Sequence, residues 1–254
     1  MPLSRGTAAA ILIAVFPATL SAVEKPQVIH VGEAVVSGAH LQPYDNAWTF
    51  SATLPDGSVR VQGIWTDHFE HYSVNGKSVW KRLQGMTYSN HLMSSVSNVF
   101  DPGTCAPVSN EQHHPDESVL KRTFDGVHVV SERIDKPGAE SRKNSFDLSQ
   151  PVFDFYGGSY GILLACLPLK VGYVATFQAI DETKDELKPV TLSVLREERV
   201  TAGRMGTVKT LVVFVDTPGE YSQTFWLSKA PPYIIRLQVA WADKHAVATF
   251  DMLR

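Results

Sequence analysis

Trp48, Phe50, Ala52 and Leu54 alternate with Thr49, Ser51 and Thr53, a period of two that puts four apolar side chains on one face of an extended strand. The same period returns along most of the chain, broken at short intervals by residues that favour tight turns. Pro55-Asp56-Gly57 marks such a turn, and Val59, Val61 and Trp65 resume the alternation, so residues 47–65 read as a hairpin. Asn75-Gly76 tolerates positive φ at both residues and predicts a hairpin joining strands at 69–74 and 78–83. Asp125-Gly126 predicts another between 119–124 and 127–134. Further strands are expected at 173–180, 190–200, 207–216, 221–228, 233–240 and 246–252, with the apolar run Val212-Val213-Phe214-Val215 suited to a central strand.

Two stretches lack this rhythm. Residues 97–117 carry Asp101-Pro102-Gly103, Pro107, Asn110 and His113-His114-Pro115 and read as a long polar loop, and residues 135–151 read as a second irregular stretch. One segment has helical spacing: within 153–167, Tyr156, Tyr160, Leu163, Leu164 and Leu167 recur at three- and four-residue steps, and Pro168 closes it. Antiparallel strands with one apolar face need a cover for that face, and this helix is the one other element available. The expected fold is therefore mainly β: a single curled antiparallel sheet, an open half-barrel around one short helix. A β-sandwich is the alternative.

Composition narrows the function classes. Among 254 residues, Lys and Arg total 23 and Asp and Glu 26, for a formal charge of −3. No basic excess recommends a nucleic-acid partner, and 44% hydrophobic with 19% charged residues excludes a disordered chain. Residues 1–22 have the form of a secretory signal peptide, with Arg5, an apolar run over 8–20, then Ser21 and Ala22. That run is short for a membrane-spanning helix and contains Pro17, and no later stretch is a candidate for an integral span. The expected organisation is a signal peptide at 1–22 and a single antiparallel β domain at 23–254, in a periplasmic or secreted protein. In such an oxidising compartment an even cysteine count predicts a disulfide between Cys105 and Cys166. The alternative is that Cys166 packs as a small buried hydrophobe.

Three constellations invite chemistry. Gly157-Gly158-Ser159-Tyr160-Gly161 matches G-x-S-x-G, and Asp216 and His245 follow in the order of a Ser-Asp-His triad. That elbow needs a strand–turn–helix in a parallel sheet, whereas hairpins surround this one, so the glycines read better as packing devices. Asp67-His68-Phe69-Glu70-His71 on a strand would put His68 and Glu70 on one face and the other ligands away from it, an incomplete metal site. His113-His114-Pro115-Asp116-Glu117 falls in the expected loop. Catalytic, metal and cofactor-binding residues are therefore not assigned, and no cofactor is expected. Trp48, Trp65, Trp80, Trp226 and Trp241 are scattered over strands and read as packing residues, which together still permit an apolar chamber.

The second half also carries a recognisable pattern: 161–172 form a short helix, a Leu-Pro-Leu corner and a glycine opening a strand, followed by Thr224-Phe225-Trp226-Leu227-Ser228 and Pro231-Pro232-Tyr233-Ile234-Ile235-Arg236-Leu237. This resembles a family of exported bacterial proteins of unknown function ending in a Trp strand, a Pro-Tyr corner and an Arg strand. That family is similar at fold level to the lipoprotein-localisation factors, whose antiparallel sheet curls around a short helix. The segment 97–117 departs from the pattern, and the resemblance brings no catalytic residues. The function expected is that of a non-enzymatic envelope protein that binds an apolar or lipid-like ligand or acts as a scaffold for an envelope protein. A serine hydrolase using Ser159 is the alternative. The chamber would be lined by Val213, Val215, Phe225, Leu227, Ile235 and Leu237, which alternate within their strands.

Overall fold

The computed structural model describes residues 26–89, 93–155, 160–181, 186–241 and 247–253. The expected signal peptide, Ser159 and His245 lie outside them. The described chain builds one sheet of fifteen strands. A first meander runs through β2 (Tyr44–Thr53), β3 (Val59–Val74), β4 (Lys77–Tyr88), β5 (Met93–Phe100), β6 (Pro107–His113), β7 (Val119–Asp125), β8 (His128–Ile134) and β9 (Arg142–Asp147). A second runs through β10 (Val174–Ile180), β11 (Leu187–Thr201), β12 (Thr207–Thr217), β13 (Tyr221–Leu227), β14 (Ile234–Trp241) and β15 (Val247–Met252). β15 pairs antiparallel with β2 and stitches the meanders together, while the short β1 (Gln27–Val28) adds in parallel to β10. The sheet is open between β9 at one edge and β10, with the short β1 added to it, at the other. Residues 148–155 cross that gap, with the Leu148 amide donating to Val127 and the Phe153 amide to Gln178. Val129, Leu148, Val152 and Ile180 form a small apolar cluster there.

Turn chemistry fixes the hairpins. Asn75 and Gly76 have φ of 50° and 77° and close a two-residue turn between Val74 and Lys77, with the doubly positive φ of a type I′ turn. At the next predicted hairpin the turn is shifted by one residue. Asp125 pairs with His128, so the loop is Gly126-Val127, with positive φ at Gly126.

The expected long loop over 97–117 is instead two strands, β5 and β6, joined by a tight turn. Asp101 organises that turn by accepting from the amides of Gly103 and Thr104 and the Thr104 hydroxyl, at 2.8–2.9 Å. The helix is shorter than its periodicity suggested: α1 spans Tyr160–Ala165. Phe153 and Phe155 are extended residues of the gap-crossing segment, edge-on to Phe177 and Phe100 respectively.

α1 lies on the concave side at one end of the barrel, where Tyr160, Ile162, Leu163 and Leu164 join the main core with Phe177, Leu192, Val213, Val215, Phe225, Ile234 and Leu237. The segment before β2 straps the helix end down. The Ser37 amide donates to the Cys166 carbonyl (3.0 Å), the Trp80 indole to the Gly38 carbonyl (3.0 Å) and the Gln42 amide to the Tyr233 hydroxyl (2.8 Å). Among the described residues no helix is long and apolar enough to cross a membrane.

Candidate ligand chamber

The concave surface has two chemistries. The inward positions of β10–β14 are mostly apolar, including Ala175, Phe177, Val190, Leu192, Val213, Val215 and Phe225, with Thr217 and Gln223 as buried polar exceptions. Those of β3–β8 include buried Asp67, Arg82, Gln84, Ser94, Asn98, Asn110, Arg122 and Ser131. Two ion pairs hold that polar half together. Arg82 donates from Nε and Nη2 to the two carboxylate oxygens of Asp67 at 2.8 and 2.7 Å, and the Tyr44 hydroxyl donates to the same carboxylate at 2.8 Å. Burial disfavours the Arg82 charge, but Asp67 and Tyr44 outweigh it and hold the guanidinium protonated. Burial also pushes the Tyr44 phenol well above its ordinary range. Deeper along the sheet, Asp154 accepts from the Asn110 amide at 3.1 Å and from Arg122 at 3.4 Å. There burial wins and raises the carboxyl despite Arg122 and Asn110.

Where the two chemistries meet, at the barrel end that α1 does not fill, lies a cavity of ≈ 490 Å³. That volume is within the range of small-molecule sites. Its apolar wall includes Phe50 and Ala52 from β2, Trp65 from β3, Tyr88 from β4, and Phe250 from β15. Aromatic contacts stiffen the wall: Phe50 lies edge-on to Tyr88 (5.5 Å between ring centres), and Trp65 edge-on to Phe250 (4.7 Å). Gln62, Gln112 and Gln223 also line it. Gln223 and Trp65 are each 5% exposed, and Gln223 Oε1, Gln112 Oε1 and Trp65 Nε1 lack a hydrogen-bond partner. Buried polar atoms ordinarily find partners in the chain or in water, so these three, all on residues lining one cavity, are available to a bound group.

The residues expected to line a chamber are placed differently. Val213, Val215 and Phe225 are packed solidly in the main core, and of the six, Leu237 alone lines this cavity. Leu227 lines a separate hollow of ≈ 330 Å³ beside the helix end, with Leu164, Leu167 and Tyr233. Ile235 does not share a face with Leu237. A register shift between Trp226 and Leu227 pairs Leu227 with Ile234, and Ile235 turns to the convex side, against Val212 and Trp226. That bulge was invisible to simple alternation. The cavity residues follow the same alternation further along the strand, since Tyr221 and Gln223 precede Phe225 at two-residue steps on β13.

The other constellations resolve individually. Cys105 and Cys166 are brought together, both buried, but as free thiols with Sγ atoms 2.7 Å apart rather than as the expected disulfide. The hydrogen bond with Cys105, then burial, raises the Cys166 thiol well above its ordinary range. Asp67 is committed to Arg82 inside, while His68 faces outward against Asp45 (2.6 Å). No cluster of three metal-ligating side chains occurs among the described residues. Asp216 falls between Val215 and Thr217, whose side chains are buried inside, so it faces away from the side that α1 occupies. Gly161 has a packing reason: a Cβ there would lie 2.6 Å from Ile234 Cγ1 and 3.0 Å from Phe225.

An open antiparallel barrel, plugged at one end by a short helix and hollow at the other, is thus the class of protein this chain represents. It belongs to the family described as Protein of unknown function (DUF3108), whose model matches residues 44–250. The match begins at the first residue of β2 and ends within β15, so it takes in both meanders. No curated protein matches the chain. Among solved structures it is similar to a beta-barrel-like protein of domain of unknown function DUF1849 from Brucella abortus. That likeness has 11% identity and a TM-score of 0.41, and covers 87% of this chain and 98% of the other.

Proposed function

We propose that this is a non-enzymatic, exported envelope protein that binds a small, largely apolar molecule in the chamber between β2, β3, β4 and β13–β15. The observation that carries the reading is the cavity of ≈ 490 Å³ itself, with an aromatic wall and unpartnered polar atoms at the end away from α1. The signal-peptide-like residues 1–22 support export. In an oxidising compartment the apposed thiols of Cys105 and Cys166 would close, losing two protons and giving two electrons to a disulfide-exchange partner.

The test is mass spectrometry of small molecules extracted from the protein purified from the envelope fraction, with a thermal-shift screen of fatty acids, phospholipids and quinones. Co-purification of one compound class, with a raised melting temperature, supports the reading. Absence of both would leave a scaffold. Ser159 is expected to stay unlabelled by a fluorophosphonate probe; stoichiometric labelling that disappears in Ser159→Ala would make the protein a hydrolase instead.

A further inference from the structure

Resting on the chamber reading, we infer that the ligand is an uncharged amphiphile whose hydroxyl or amide head is held by Gln223, Gln112 and Trp65. Among the described residues, no Asp, Glu, Lys or Arg lines the cavity. The polar side chains that do are Gln62, Gln112, Gln223, Tyr88, Tyr221 and the indoles of Trp65 and Trp241. Arg82 and Asp67, the buried charges nearest in sequence to this wall, already neutralise each other through a two-pronged ion pair. A carboxylate or ammonium entering the cavity would give up its hydration and meet no counter-charge, which is unfavourable in a low-dielectric site.

The unpartnered atoms describe the complementary head. Gln223 Oε1 and Gln112 Oε1 are acceptors without a donor, and Trp65 Nε1 is a donor without an acceptor. A hydroxyl, or a primary or secondary amide, supplies both a donor and an acceptor and carries no charge. A carboxylate supplies acceptors only: it would take the indole and, with the amides turned, the glutamine Nε2 groups, but it would bring into the cavity a charge that no lining residue neutralises. The aromatic and aliphatic wall formed by Phe50, Tyr88, Leu237, Val239 and Phe250 then takes the apolar body. Gln223 is a costly choice for structure alone. Its neighbours on the same face of β13, Phe225 and Leu227, are core residues, and a leucine would extend that run without an orphaned oxygen.

The experiment titrates the full purified chain with three probes of equal chain length: decanol, decanoate and decyltrimethylammonium. Tryptophan emission, to which Trp65 and Trp241 on the cavity wall contribute, is the readout, and Gln223→Leu is measured beside the wild type. The expected result is that decanol binds at least about tenfold more tightly than either ion. In Gln223→Leu the preference falls by about that factor while the melting temperature of the unliganded variant stays level or rises. The level or raised melting temperature separates a ligand-holding residue from a structural one. Decanoate or decyltrimethylammonium binding as tightly as decanol, or a preference unchanged in Gln223→Leu, would overturn the inference while leaving the chamber reading standing. Binding of none of the three would overturn both.

Discussion

At Gly161 the hydrogen in place of a side chain lets α1 approach β13 and β14, because a methyl would meet Ile234 and Phe225. Gly161→Ala should therefore destabilise the protein by about 1–3 kcal/mol through overpacking, read as a lower urea midpoint with unchanged slope. An unshifted midpoint would mean that the helix is free to move outward. Asp67 matters for a different reason. Its carboxylate neutralises an Arg82 that is 1% exposed, so Asp67→Asn strands a buried charge and should cost about 3–5 kcal/mol by the same measurement. Asp154 gives a pH signature. Burial raises its carboxyl in the folded state, so the native protein holds that proton to higher pH than the unfolded chain. Its contribution is fully present below the ordinary Asp value of about 4 and is lost as pH rises through the raised one. The stability lead of the wild type over Asp154→Asn should accordingly narrow as pH rises above about 4; a widening lead would reverse the sign.

Among the elements, strands with one apolar face and a glycine turn were legible from sequence, and the polar ones were not. β6 presents Asn110 and Gln112 inward, so its buried side chains leave no hydrophobic period, and the ion-paired Asp154 explains why that face tolerates polarity. β9 is an edge strand with no buried residue, and nothing in Arg142–Asp147 distinguishes it from a loop. The helix was overextended because Phe153 and Phe155 are apolar for another purpose, plugging the gap between β9 and β10. Of the candidate site, Leu237 was anticipated, but the glutamines were not, since a polar residue on an apolar face reads as an interruption rather than as a contact. The expected disulfide is not seen: the two cysteines meet in space as free thiols. Cys105 lies in the β5–β6 turn and Cys166 follows α1, 61 residues apart, so oxidation would staple helix to turn and contribute about 4 kcal/mol in the chain-entropy model. The mild oxidation of purified protein should raise its melting temperature and remove both titratable thiols. Two thiols persisting after oxidation, with no thermal shift, would count against closure.

For the molecule as a whole, the curled sheet encloses more width than one six-residue helix covers. The covered end is a packed core built on Val213, Val215 and Phe225, and the uncovered end is the chamber. Polar β3–β8 and apolar β10–β14 meet at that hollow end, which is where an uncharged amphiphile finds both of its surroundings. Filling the space should abolish binding without harming the fold, and Ala248, on the cavity wall, is the position to fill. The decisive measurement is the thermal unfolding midpoint of wild type and Ala248→Trp with and without decanol. At a ligand concentration about 100-fold above Kd, binding stabilises by about 2.7 kcal/mol, a rise of roughly 5–10 °C. The wild type is predicted to show that rise and Ala248→Trp, still folded but less stable alone, to show none. An equal rise in both would place the ligand elsewhere on the molecule and contradict the chamber.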